Sequence, residues 1–112
     1  GPPSNGIIYP SRGGFIDGVR FPIELGRGAQ FDRFGGPGGR YASPAGTSFE
    51  GRALPPGAQQ SPLVRYEVIR PFTVQSGAAA PWFGQRGRGI QYELPLSVRQ
   101  LEQGGFIRQV PQ

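Results

Sequence analysis

In the stretch QRGRGIQYELP (residues 85–95), Gln91 and Glu93 stand two positions apart, just after two arginines spaced by glycine. If the run from Ile90 is a strand, its side chains alternate and these two share a face. Glu93 carries the carboxylate, so side-chain chemistry by itself favours it as the catalytic group. Gln91 cannot take a proton near neutral pH, but its carboxamide both donates and accepts hydrogen bonds. The preceding QRGRG reads either as an RG-type nucleic-acid tail or as the lip of a pocket. A tail expects repeated RG units in a disordered setting, whereas here a single unit runs directly into a strand. A lip in which glycine lets the backbone approach a ligand fits better.

Composition narrows the chemistry further. The 112 residues include no histidine and no cysteine, which excludes a Ser-His-Asp triad, a thiolate nucleophile, disulfides and histidine- or cysteine-built metal sites. No acidic ligand loop of the calcium type is present, so no metal is expected. All 12 cations are arginine and the net charge is +5. Arginine's planar fork suits phosphate better than lysine's point charge does, although a coding bias towards arginine explains the same count. No 18-residue apolar run exists, so membrane insertion by this chain is not expected.

These residues need a scaffold. Twenty glycines and 13 prolines would suit a disordered chain, but eight Phe, four Tyr and one Trp supply a core that disordered chains lack. The expected fold is α+β and mainly β: a small single domain of short antiparallel strands, one short C-terminal helix and long functional loops. Residues 1–13 are expected to be an irregular lead-in and 14–112 the domain. The start at Gly-Pro-Pro-Ser, without Met, suggests a fragment or a processed end.

Along the chain, GFIDGVR (14–20) reads as a short strand or a turn. AQFDRFG (29–35) reads as a strand ending at glycines, and GGPGGRY (35–41) as a tight loop. An extended piece is expected around Ser48–Leu54. LVRYEVIRPFTV (63–74) alternates as the clearest strand, which Pro71 breaks or confines to an edge. IQYELP (90–95) and FIRQV (106–110) are further strands. Ser97 with Gln100 forms a capping box, and Gly104-Gly105 ends the helix they start.

Four loop blocks come in a telling order: DRFG (32–35), SPAGTSFEGRALPP (43–56), APWFGQRGRGIQY (80–92) and LEQGGFIRQV (101–110). This succession, from about Phe15 to Val110, resembles the TNT domain family, the catalytic domain of the tuberculosis necrotizing toxin and of fungal surface NAD glycohydrolases. The resemblance implies hydrolysis of NAD+, and of NADP+, to nicotinamide and ADP-ribose or its 2'-phosphate, with both dinucleotides as substrates and no cofactor. It implies a toxin delivered as the C-terminal part of a larger secreted polypeptide, acting in the target-cell cytoplasm. A cognate immunity protein, acidic and covering an arginine-lined cleft, is the implied partner; nucleic acid is not.

The resemblance carries over Arg33 and Phe34 from DRFG, Arg52 from GRALPP, Gln91 from GIQY and Tyr41 after the glycine loop. Gln91 and Arg52 then become the catalytic residues, with Glu93 and Ser48 as further candidates. Arg33 and Arg52 would clamp the pyrophosphate, unless they are ordinary ion-paired arginines with Asp32 or Glu50 as partners. Phe34 would wall or stack on nicotinamide, or serve as a core aromatic. Trp82 and Phe83 would cover the dinucleotide, or plug the domain. Two departures from the family pattern fall on the rim: GAQQSP (57–62) carries no histidine, and Arg86 and Arg88 stand where more glycine or proline is expected.

The chemistry is consistent with the composition. Nicotinamide leaves as a neutral molecule and needs no general acid, so positioning and electrostatics can carry the reaction. The competing readings are an ADP-ribosyltransferase, in which another nucleophile replaces water, and a basic RNA-binding module. The latter would bind with a steep salt dependence, but no RNA-binding signature supports it.

Overall fold

The computed structural model describes residues 7–111, so part of the expected lead-in lies outside the described residues. Seven strands form one antiparallel sheet: β1 (Phe21–Leu25), β2 (Gln30–Phe34), β3 (Tyr41–Pro44), β4 (Leu63–Val68), β5 (Phe72–Ala78), β6 (Ile90–Glu93) and β7 (Ile107–Val110). Their order across the sheet is β1-β5-β6-β3-β2-β4-β7. The short strand β3 joins the two halves. Tyr41 and Ala42 pair with Glu93 and Tyr92 of β6, whereas Ser43 and Pro44 pair with Asp32 and Phe31 of β2. Residues of both halves thereby meet around β3, where the candidate site lies.

The expected single strand over 63–74 is two strands in different halves. β4 pairs with β2 and β7, and β5 pairs with β1 and β6. Pro71 lacks an N–H for a ladder, and the chain crosses between the halves there. β1 contains Pro22 and was not expected as a strand; it lies at the sheet edge, where proline is tolerated. GFIDGVR forms a tight 3-10 turn at Ile16–Gly18, preceded by another at Arg12–Gly14, with left-handed backbone at Gly13 and Asp17.

There are two α-helices among the described residues rather than one. The expected α2 spans Val98–Gln103, with both arms of its Ser97/Gln100 capping box formed. Six residues are too few to hold a helix alone. Val98 and Leu101 bury completely against Phe31, Tyr66, Val68, Leu94 and Ile107, and that burial stabilises it. The glycine loop also anchors its start: Val98 and Arg99 donate to the carbonyls of Gly39 and Pro37. The unexpected α1, Phe49–Arg52, replaces the extended piece around Ser48–Leu54. It is one turn, capped by Ser48 and ended by Ala53 at φ 49°.

Candidate active site

Strand β2 sets the site through its alternation. Asp32 and Phe34 face α1, where Asp32 meets Arg52 and the Phe34 ring meets Phe49 edge-on at 5.3 Å. Asp32 is fully buried and Arg52 is 5% exposed. The two form a short ion pair, and Arg52 Nη1 also donates to the Asp32 carbonyl at 3.1 Å. Arg52 Nε and Nη2 donate to the Thr47 carbonyl at 3.0 and 2.8 Å. Four of the five guanidinium N–H bonds are thus engaged within the protein, which leaves one for a ligand. Asp32 further accepts from the Gly46 N–H and lies 3.6 Å from Arg65.

Arg33 is arranged differently. Nη1 donates to the Tyr41 carbonyl at 2.7 Å, while the buried Nε has no partner. Its guanidinium occupies the space a side chain at residue 39 would fill, since a Cβ on Gly39 would lie 2.2 Å from Nη1. Burial lowers its pKa, partly offset by Tyr66. Arg33 lines the first cavity, and arginine N–H donors in a partly desolvated place are suited to an anion.

Two cavities open here. One, of about 300 Å³, is lined by Arg33, Phe34, Ser43 and Ala58 among others. The second, of about 320 Å³, has Tyr9, Pro10, Gly13 and Phe83 in its wall. Both share Tyr41, Arg52, Leu54, Pro55 and Gln91, so they form one divided cleft. Together they reach the size range of small-molecule sites. The Arg52 guanidinium also sits 5.1 Å from the Phe34 ring centroid. Part of the surface that could stack on nicotinamide is therefore taken by the protein itself.

Gln91 stands at the division between the cavities. Its Nε2 donates to the Gly13 carbonyl at 2.8 Å, which orients the carboxamide. Glu93 lines neither cavity; it accepts the Tyr41 phenol hydrogen at 2.9 Å. Burial and then Glu93 raise the Tyr41 pKa, against lowering by Arg20 and Arg40. Ser48 lies outside both cavities, and its Oγ accepts from the Gly51 N–H as a helix cap. Trp82 also lines neither, donating Nε1–H to the Ile8 carbonyl at 2.7 Å, whereas Phe83 faces the second cavity and meets Tyr9 edge-on.

The GRG lip approaches protein backbone rather than a cavity. Gly87 and Gly89 donate to the carbonyls of Glu50 and Gly51, and a Cβ on either would come within 3 Å of backbone atoms. Gly87 and Gly89 therefore join α1 to the start of β6. Arg86 and Arg88 are exposed and outside both cavities. Lining residues that were not anticipated include Tyr9 and Gly13, from the lead-in, and Leu54 and Pro55. The last two sit inside the RALPP block, which could have indicated them; nothing in the letters indicated Tyr9.

A profile of the family described as Tuberculosis necrotizing toxin matches residues 24–110. The chain belongs to this family. It is 33% identical over 120 residues to the conidial surface nicotinamide adenine dinucleotide glycohydrolase of Aspergillus fumigatus, covering 96% of this chain and 51% of that protein. The structure of the family's namesake, tuberculosis necrotizing toxin complexed with its immunity factor, superposes with a TM-score of 0.74 at 25% identity, over 90% of this chain and 60% of that one. Rhs1-CT, in complex with its cognate immunity protein, shares the fold at a TM-score of 0.61 and 16% identity, over 83% of this chain and 78% of that one. The chain thus spans about half the length of the fungal relative. The family fold is mainly β and antiparallel, as expected, with a second short α-helix beside the expected C-terminal one among the described residues.

Proposed function

We propose that this domain hydrolyses NAD+ at the nicotinamide–ribose bond, releasing nicotinamide and ADP-ribose. The observation that carries the reading is the position of Gln91, at the division of an arginine-containing cleft with its carboxamide held by Gly13. A dinucleotide lying across that division places its scissile bond beside Gln91. The leaving group is neutral, so the barrier lies in forming an oxocarbenium-like ribose. Gln91 contributes by holding a ribose hydroxyl and aiming water at the anomeric carbon, a positioning effect that needs no proton transfer. Arg33, in the lining of the first cavity, supplies guanidinium N–H donors for the pyrophosphate. Arg52, with most of its donors engaged, supplies a fixed positive charge and one N–H. Preorganised dipoles and charges of this kind act without reorganising during the reaction.

The same cleft is proposed to accept NADP+ with the corresponding 2'-phosphate product, and no cofactor takes part. The relatives support a toxin role: delivery within a larger polypeptide and action on the NAD+ of a target cell. They also support a cognate immunity protein as partner, and the +5 charge with arginines in the cleft favours an acidic one. Co-purification with the product of the neighbouring gene checks that partner.

The deciding assay is nicotinamide release from NAD+ by the purified domain, beside a folded Gln91→Ala variant. Loss of a positioned polar group in the site is expected to lower kcat by about two orders of magnitude. Full activity in the variant would remove Gln91 from the mechanism. A folded, inhibitor-free wild type that releases no nicotinamide from either dinucleotide would overturn the glycohydrolase reading.

A further inference from the structure

Glu93 is the one carboxylate two residues from Gln91 on the same strand, yet it lines neither cavity. Its carboxylate instead accepts the phenol hydrogen of Tyr41 at 2.9 Å, across the β3–β6 pairing that sets the two residues opposite each other. Tyr41 lines both cavities. A phenol has one hydrogen to donate. With that hydrogen committed to Glu93, the Tyr41 oxygen can only accept. A group bound there must itself be a donor.

Gly13 shows which donor. Its carbonyl orients Gln91, and a Cβ built on it would lie 3.5 Å from the Tyr41 hydroxyl. The phenol oxygen and the Gln91 carboxamide therefore flank the same backbone position. If Gln91 holds the nicotinamide-bound ribose, the Tyr41 oxygen meets the same sugar, whose hydroxyls are donors. We propose that Glu93 is a positioning residue that acts through Tyr41, fixing its phenol as an acceptor for a hydroxyl of the ribose from which nicotinamide departs. This rests on the glycohydrolase reading. It assigns Glu93 a different task from that of a base or nucleophile.

The charges around the phenol are consistent with this arrangement. Glu93 from β6 opposes ionisation, while Arg20, just before β1, and Arg40, just before β3, favour it; Arg33 bonds the Tyr41 carbonyl from β2. Glu93 thus holds the phenol hydrogen on its own side, away from the sugar. A carboxamide at residue 93 could still accept the phenol hydrogen but would lack the charge. An alanine could do neither.

The test combines a mutant cycle with a titration. Tyr41→Phe and Glu93→Ala should each lower kcat/KM for NAD+ by roughly three- to tenfold, the size of one neutral hydrogen bond. The double variant should be no worse than Tyr41→Phe, because both changes remove the same contact. Glu93→Gln should recover most of what Glu93→Ala loses. Ultraviolet titration, with Tyr41→Phe assigning the relevant tyrosine, should show the Tyr41 pKa falling in Glu93→Gln. Multiplicative losses in the double variant, with Glu93→Gln as damaging as Glu93→Ala, would overturn the proposal and make Glu93 a catalytic residue in its own right. An unchanged Tyr41 titration in Glu93→Gln would overturn it as well. A folded wild type without activity overturns the glycohydrolase reading and this role with it, while the titration still reports the contact itself.

Discussion

The two walls of the cleft are built in opposite ways. On one, Arg52 is tied by four hydrogen bonds to Asp32 and Thr47, and Asp32 is tied in turn to Gly46 and faces Arg65. On the other, Tyr9, Gly13 and Phe83 come from the lead-in and the 80–89 loop, joined by single bonds such as Trp82 to Ile8 and Gln91 to Gly13. Non-glycine residues with left-handed backbone are commoner in these two segments: among the described residues, Arg12, Phe83 and Arg88 have positive φ there, against Ala53 beside Arg52. Each such residue costs on the order of 1–2 kcal/mol and persists only where its surroundings hold it. The first wall carries fixed charge at a set place, as transition-state stabilisation requires. The second is held around Tyr9 by fewer bonds, so on the proposed reading it is expected to open at lower cost for substrate entry.

The strongest way to break this contrast is to cut the knot in the first wall. Asp32→Asn leaves Arg52 buried without its counter-charge and should lower stability by about 3–5 kcal/mol, read from the midpoint of chemical denaturation. The double change Asp32→Leu with Arg52→Leu should recover much of that stability, because a buried ion pair is replaceable by apolar groups. It should not recover nicotinamide release. A double variant that is both stable and active would show the knot to be packing alone.

A smaller effect should separate binding from stability within the same wall. Gly39 leaves room for the Arg33 guanidinium, and Gly39→Ala would push into it. Arg33 ends in a flexible side chain, so the fold can yield by moving it. The cost should fall on its bond to the Tyr41 carbonyl and its grip on the pyrophosphate. We expect kcat/KM to fall roughly ten- to a hundredfold, the size of a hydrogen bond to a charged group, with little change in denaturation midpoint. An unaffected kcat/KM would remove Arg33 from substrate binding.

How much of this could be read from the letters follows the same division. Helix α2 was legible because its capping box, its apolar pair and its terminal glycines all lie within a few residues. Strand β2 was legible because AQFDRF alternates, and Asp32 was already a candidate ion-pair partner for the arginines. Helix α1 was not legible: one turn has no period, and what holds it is a cap plus a contact to Asp32, 20 residues earlier. The second wall was not legible either. Tyr9 meets Phe83 only because two irregular segments far apart in the chain fold together, and no local pattern encodes that. The family resemblance drew attention to Gln91, where side-chain chemistry favoured Glu93; the fold places Gln91 in the cleft and Glu93 behind Tyr41.

The smallest predicted effect tests the second wall. Trp82→Phe keeps a large aromatic but removes the indole N–H that donates to the Ile8 carbonyl. Trp82 is partly exposed, so water can replace part of what is lost, and stability should fall by only about 0.5–1.5 kcal/mol. Because Tyr9 follows Ile8 directly and meets Phe83, loosening Ile8 should loosen the cover over the second cavity. KM for NAD+ should therefore rise by a few-fold while kcat stays near that of the wild type. Hydrogen exchange should quicken in residues 7–14 and leave α1 and β2 as protected as before. A fall in kcat with unchanged KM, or faster exchange spread equally through α1 and β2, would show that the two walls open as one unit and that the contrast between them does not hold.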